Sequence, residues 1–340
     1  MKILLGLGAL IPAFRPAAGP PPRSIGAFFN WCLKGSWKML GFAAFVSAIA
    51  GTAEVVSAWI LGWVVDASLA SGASGFFSDH AWSLGLCVLF YLVARPLAFA
   101  ASSAANSIII GPNVMPLVLS RLHRWTLGQS ITFFDNDFAG RIAQKQMQAA
   151  RAVTDVVTET INTGAFALAS VVASVIYLVS IDVRIAVLLA VWLVIYVFLI
   201  RHFVPRVKKN SAARASARAM VSGQVVDTIT NIKTVKLFAH DAYEDRVALD
   251  AMEVFRQRSL EFGEISTWFR LALMTLAGVL PVLLIGATLM LWQQGLASAG
   301  AIAAAGAIAM RIAQMSGWVS FTLMSIYTSI GEVEDGMRSL

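Results

Sequence analysis

Ile185–Phe203 reads IAVLLAVWLVIYVFLIRHF, a run without a single charged residue before Arg201. A helix needs roughly 20 mainly apolar residues to cross the hydrocarbon core of a bilayer, and this stretch meets that length with no turn signal inside it. Five further stretches meet the same test: Met39–Val65, Trp82–Ala105, Ile161–Ile181, Ile265–Trp292 and Ala299–Tyr327. The composition agrees, with 58% hydrophobic and 13% charged residues and a mean hydropathy of +0.73. A soluble chain carries about a quarter charged residues, so lipid is the solvent for much of this one. The predicted fold class is therefore an all-α membrane protein with six transmembrane helices.

The formal charge of +7 raises nucleic acid as a partner, but its distribution along the chain argues for a membrane topology instead. Asp66–Ala81 holds no Lys or Arg, the turn before Ile185 holds Arg184 alone, and Gln293–Ser298 is uncharged. The opposite side is basic. Lys2, Arg15, Arg23, Lys34 and Lys38 precede the first span; Arg121, Arg124, Arg141, Lys145 and Arg151 lie in the connection 106–160; Arg206, Lys208, Lys209 and others through Arg258 lie in the connection 204–264. The positive-inside bias predicts both termini and these two connections in the cytoplasm, across a plasma membrane (the inner membrane of a bacterium), with lipids as partners and no nucleic acid.

Both basic connections have helical composition. Arg206–Gln224 contains no proline, and Leu249–Phe262 alternates apolar and charged residues at helical spacing. Arms of about 25 residues reach nearly 40 Å at 1.5 Å per residue. Short outward turns paired with long inward helical hairpins imply something in the cytoplasm to be reached. Residues 1–23 read as an N-terminal cytoplasmic segment with Pro16–Pro22 as a linker, although Met1–Phe14 also has the look of a short signal peptide. Residues 24–38, with Phe28, Phe29, Trp31 and Trp37 beside Lys34 and Lys38, suit a helix lying in the inner interface.

Where the hairpins should turn, two motifs stand out. The first connection carries Phe133-Phe134-Asp135, then Asp137 and Gly140; the second carries Ile232-Lys233-Thr234-Val235-Lys236-Leu237-Phe238. With both in the basic connections, the chain over residues 24–340 resembles the transmembrane domain of ABC exporters, the type IV ABC transporter fold. That resemblance implies that the two segments are coupling helices docking on nucleotide-binding domains. Phe133, Phe134 and Phe238 would then be apolar anchors, with Asp135, Asp137, Lys233 and Lys236 as a polar rim. It also implies a second transmembrane domain as partner, identical or not, a domain 39–330 carrying the spans, and residues 331–340 as the start of a linker. ATP and Mg are expected in the nucleotide-binding domain and no cofactor in this chain. No lysine follows a glycine here, so the G-x-x-x-x-G-K-[ST] phosphate loop is absent. The ATPase domain is expected downstream or on a separate chain.

Glu54, Arg95 and Arg311 interrupt the apolar spans, where charge is costly and often functional. Each lies about 12 or 13 residues, nearly 20 Å, from the outer end of its span, so the three share one layer. A Glu54–Arg95 or Glu54–Arg311 pair is feasible, and the arginine left over is expected to face a translocation cavity and favour an anionic or amphipathic substrate. The implied function is ATP-driven export of an amphipathic or hydrophobic substrate, whether lipid, peptide or drug-like. The alternatives are an ATP-independent secondary transporter, which usually has broken midplane helices, and a membrane-embedded transferase using Asp135-Asn-Asp137 on a metal–diphosphate.

Overall fold

The structure, a computed structural model, describes residues 6–131, 133, 139–238 and 241–338. Among them there is no strand. Eight helices are labelled here in chain order: α1 (Ile25–Leu33), α2 (Trp37–Asp79), α3 (Ala81–Leu127), α4 (Ala139–Glu159, continuing through Phe166–Ile181), α5 (Val183–Thr230), α6 (Ile232–Leu237), α7 (Asp241–Gln293) and α8 (Ala299–Arg338). Six are long and apolar enough to cross a membrane. The apolar stretches read from the sequence are the lipid-facing parts of longer rods, because a helix satisfies its own backbone on leaving the bilayer and has no reason to stop there.

One of the connections expected on the outer side differs from a loop. Asp66–Ala81 is helical nearly throughout: α2 runs on to Asp79, with a single break at Gly72, whose φ of 65° is a conformation glycine adopts at no steric cost. Within α3 and α4 the helix widens into π-turns at Phe90–Ala94, Ala105–Ile110 and Thr160–Ala165. The π-turn Phe90–Ala94 comes directly before Arg95-Pro96, where a proline lacks the donor for the regular ladder.

The chain forms two compact units, residues 1–190 with 280–340 and residues 191–279. In the first, α2, α4 and α8 pack on one another and α3 packs on α4. Small residues permit the closest approach. A Cβ on Gly300 would fall on the Gly62 carbonyl, and one on Gly51 would fall on the Phe166 carbonyl. The start of α8 is capped twice over: Ser298 Oγ accepts the Ala301 N–H at 3.0 Å, and Asp66 accepts the Gly300 N–H at 2.6 Å and the Ser298 hydroxyl at 2.6 Å. Gly300→Val is therefore expected to destabilise the protein by about 2 kcal/mol, within the usual cost of overpacking, seen as a lowered thermal midpoint in detergent. An unchanged midpoint would mean that α2 and α8 do not meet there.

The segment ahead of Pro16 is held against α3. Asn113 donates to the Gly8 carbonyl at 2.8 Å, Ser120 to Ala13 at 3.4 Å and Arg124 to Phe14 at 2.8 Å. Arg121, only 2% exposed, donates to the carbonyls of Arg15, Trp31, Cys32 and Lys34 at 2.6–3.1 Å. It thus takes the last carbonyls of α1, which a helix end leaves without partners. Phe28, Trp31, Cys32 and Leu33 are buried against α3 and α4, so one face of α1 packs on the protein, while Gly26, Ala27 and Asn30 stay exposed. Burial pushes the Cys32 thiol up to about 12, against a smaller opposing pull from the Arg121 guanidinium.

The second unit pairs the middle of α5 with that of α7. Trp192 is buried, donates to the Leu276 carbonyl at 2.8 Å and stacks on Tyr196. Phe203 meets Phe269 with ring centroids 5.4 Å apart, and the Arg214 guanidinium lies 4.0 Å from the Phe262 ring centre.

Candidate functional site

Glu54 on α2, Arg95 on α3 and Arg311 on α8 come together in the first unit. Glu54 Oε1 accepts from Arg95 Nη2 at 2.8 Å and from Arg95 Nε at 3.2 Å. Arg311 Nε stands 3.4 Å from Glu54 Oε2, close enough for charge pairing but without hydrogen-bond alignment. The expected leftover arginine is not found: one carboxylate bridges both guanidinium groups, because a lone cation at this depth is worse than a shared anion. The Glu54 side chain is 8% exposed, against 38% for Arg95 and 36% for Arg311. The cluster carries one net positive charge. Each guanidinium also faces a ring, Arg95 over Phe99 at 5.4 Å and Arg311 over Phe166 at 5.8 Å.

Arg311 lines two cavities. One, of about 340 Å3, holds Glu54, Ser57, Tyr91 and Gln314. The other, of about 430 Å3, holds Phe99, Asn106, Asn162, Thr163, Phe166 and Trp318. Two of the three π-turns contribute directly to the second, supplying Asn106 and the pair Asn162 and Thr163. A π-turn re-aims side chains out of helical register and is frequent at functional sites. Sequence reasoning missed these residues, placing Asn106 just past the end of the second span. The run Ser102-Ser103-Ala104-Ala105-Asn106-Ser107 was the available signal: a polar face on a helix that has not yet ended.

The second connection turns at α6. Asn231 starts it by accepting the Thr234 and Val235 N–H groups at 2.9 and 3.1 Å, while its amide holds Asp227. Glu244 accepts from Thr228 at 3.1 Å and Gln224 at 3.4 Å, which ties the two arms of the hairpin together behind the turn. Val235 is buried and fixes the cross-piece, whereas Ile232 is 41% exposed, Leu237 82% and Phe238 69%. Lys233, Thr234 and Lys236 are exposed beside them. With Ile229 and Tyr243 also exposed, the tip presents an apolar surface with a basic border, the composition of an interaction site rather than of a solvated turn.

For the first connection, Phe133 is half-buried and its N–H reaches the Ser130 carbonyl at 3.0 Å. Phe134, Asp135 and Asp137 lie outside the described residues, and with them the D-x-D pattern. Gly140 stands in the first turn of α4. Behind this turn, Gln146 donates to Thr126 Oγ1 at 2.6 Å, and Lys145 pairs with Asp335 at 3.3 Å, so the far end of α8 packs on α4. Among the described residues, no three His, Cys, Asp or Glu side chains converge on a point where a metal ion would sit.

Comparison with known proteins agrees with this architecture. Residues 40–316 match the family described as the ABC transporter transmembrane region. An "Uncharacterized ABC transporter ATP-binding protein" of Haemophilus influenzae is 30% identical over 96% of this chain, and the chain spans 53% of that protein. Among solved structures, a bacterial Atm1-family ABC exporter with ATP bound superposes with a TM-score of 0.69 at 13% identity, covering 90% of this chain and 54% of the exporter. The chain thus spans about half the length of these proteins, and at that identity the structural likeness speaks for the fold. With six spanning helices, two long connections and a family match over most of its length, this chain belongs to the ABC transporter transmembrane family.

Proposed function

We propose that this chain is the membrane half of an ATP-driven exporter. It moves an amphipathic or hydrophobic substrate out of the cytoplasm or the inner leaflet by alternating access. Both termini and both helical tips face the cytoplasm of a bacterial inner membrane, in keeping with the basic connections and the bacterial relative. A nucleotide-binding domain, in the same polypeptide or separate, binds ATP and Mg and docks on the tips; a second transmembrane domain completes the pathway. The observation that carries this reading is α6, a cross-piece held by Val235 and Asn231 with Leu237 and Phe238 turned outward at 82% and 69% exposure.

The mechanics follow from the helices. A rod of nearly fifty residues transmits displacement along its length because every backbone group is already bonded within it. Closure of two nucleotide-binding domains would push on α6 and on the first tip around Phe133 and Gly140, and α3, α4, α5 and α7 carry that movement as continuous helices. Phe238 and Leu237 supply the buried anchors of the docking contact, and Lys233 and Lys236 its charged border. The test is transport by the full polypeptide with its ATPase domain, reconstituted in sealed vesicles. A fluorescent amphiphile should be moved only with Mg-ATP. Movement driven by a proton or sodium gradient in the absence of ATP would replace this reading with that of a secondary transporter.

A further inference from the structure

The cavity of about 430 Å3 in the first unit falls in the size range of ligand sites, about 300–1,000 Å3, and its chemistry is lopsided in an informative way. Asn106 is 8% exposed. Its Nδ2 donates to the Ser102 carbonyl at 3.0 Å; since a carbonyl accepts only from the nitrogen, the amide orientation is fixed. That leaves Oδ1 buried with no donor. A buried acceptor without a partner is costly, and a ligand donor would relieve that cost. Thr163 lies on the same wall and spends its hydroxyl proton on Glu159 Oε2 at 3.2 Å, so its oxygen also has only acceptor capacity left. Opposite in sign is Arg311, whose guanidinium lines this cavity; its Nε is charge-paired with Glu54 at 3.4 Å without a hydrogen bond, and the cluster it belongs to carries one excess positive charge. None of the residues lining this cavity is acidic. Between these poles stand Phe99, Phe166 and Trp318, with ring centroids 6.0 Å apart from Phe99 to Phe166 and from Phe166 to Trp318.

From this arrangement we infer that the cavity binds the head of a zwitterionic amphiphile, with an anionic group at Arg311, an ammonium or similar donor at Asn106 Oδ1 and Thr163, and an apolar portion against the aromatic wall. The inference rests on the exporter reading for its biological sense and narrows the substrate class, but the site itself needs no ATP. An anion alone would answer Arg311 and leave Asn106 unpaired; a cation alone would be repelled by the guanidinium. Only a molecule carrying both groups satisfies both ends. A phospholipid head with an amine and a small soluble peptide share that chemistry.

The test is equilibrium binding to the full-length protein in phosphatidylcholine nanodiscs without nucleotide. Its readout is quenching of Trp318, taken as the difference from Trp318→Phe, by a nitroxide-labelled dipeptide. The free dipeptide should bind about tenfold more tightly than its N-acetyl or its methyl-ester form, since a charge-assisted hydrogen bond is worth about 1.5–3 kcal/mol. Asn106→Leu should abolish the preference over the N-acetyl form, and Arg311→Gln the preference over the ester. Equal binding of all three forms by the parent protein would overturn the inference, and that comparison needs no variant to fold. With the dipeptide bound, displacement by phosphatidylethanolamine added to the disc supports the site and assigns it to a lipid head; retention supports it for a soluble ligand. ATP-driven transport together with equal binding of the three forms would sink this inference alone. Selective binding without ATP-driven transport would sink the exporter reading alone.

Discussion

Replacing Glu54 with alanine is expected to lower stability by roughly 2–3 kcal/mol, the largest single-residue effect on folding that this structure implies. The carboxylate is 8% exposed and lies within 2.8 Å of Arg95 and 3.4 Å of Arg311. Without it, two guanidinium groups share a small polar pocket among apolar helices with no counter-charge. The figure is set below the 3–5 kcal/mol typical of a fully buried pair because both arginines remain about a third exposed, which weakens their mutual repulsion. The cause can be separated from simple loss of packing. Removing all three charges together, as Glu54→Leu with Arg95→Met and Arg311→Leu, should recover most of the loss, because an apolar replacement of a complete ion cluster is often neutral or better. Thermal unfolding in detergent, followed by fluorescence-detected size exclusion, reads both variants. A Glu54→Ala protein as stable as the parent would mean that the arginines find other partners, or water, in the membrane.

The second large effect is on coupling. Truncating one aromatic at each tip, Phe134→Ala with Phe238→Ala, should reduce transport at least about tenfold while ATP hydrolysis and membrane insertion persist. Aromatic anchors of this kind are commonly worth about 2 kcal/mol each when cut to alanine. Tethering of an ATPase domain in one polypeptide, at about millimolar effective concentration, would keep it nearby even so. The expected failure is thus loss of transmitted force rather than loss of the partner. Transport at the full rate in the double variant, measured beside its ATPase rate, would show that these segments are not where the motor engages.

How far the sequence carried this picture depends on what each feature presents along a line. Spans are legible because the bilayer imposes a length on every one of them. The α6 turn is legible because Ile232 to Phe238 forms a motif within seven consecutive positions. The shared depth of Glu54, Arg95 and Arg311 followed from counting residues, yet the bridging carboxylate did not, since counting fixes height and leaves direction around the helix open. Asn106 was lost for a related reason: hydropathy treats a polar run as the end of a span, whether the helix has left the lipid or only turned a polar face toward a cavity. Thr163, inside the third span, was lost because hydropathy gives no direction around the helix. The N-terminal strap was invisible because its contacts are to backbone carbonyls of Gly8, Ala13, Phe14 and Arg15, which every residue type offers alike. Arg121 illustrates the converse risk. It counts toward the basic inner side, but its guanidinium is consumed in holding α1 and the strap.

The claim that most needs testing is that ATP changes which side of the membrane the α3–α4 cavity opens to. Asn162 lines that cavity and is exposed, so a cysteine there, in the full polypeptide with Cys32→Ala and Cys87→Ser, reports access directly. In sealed inside-out vesicles, a membrane-impermeant maleimide added to the outer medium, which contacts the cytoplasmic face, should label Asn162→Cys without nucleotide. Labelling should fall at least about fivefold when Mg-ATP and vanadate trap the closed motor, and reagent enclosed in the lumen should then begin to label the same site. Equal labelling from the cytoplasmic face in both conditions would contradict alternating access by this chain.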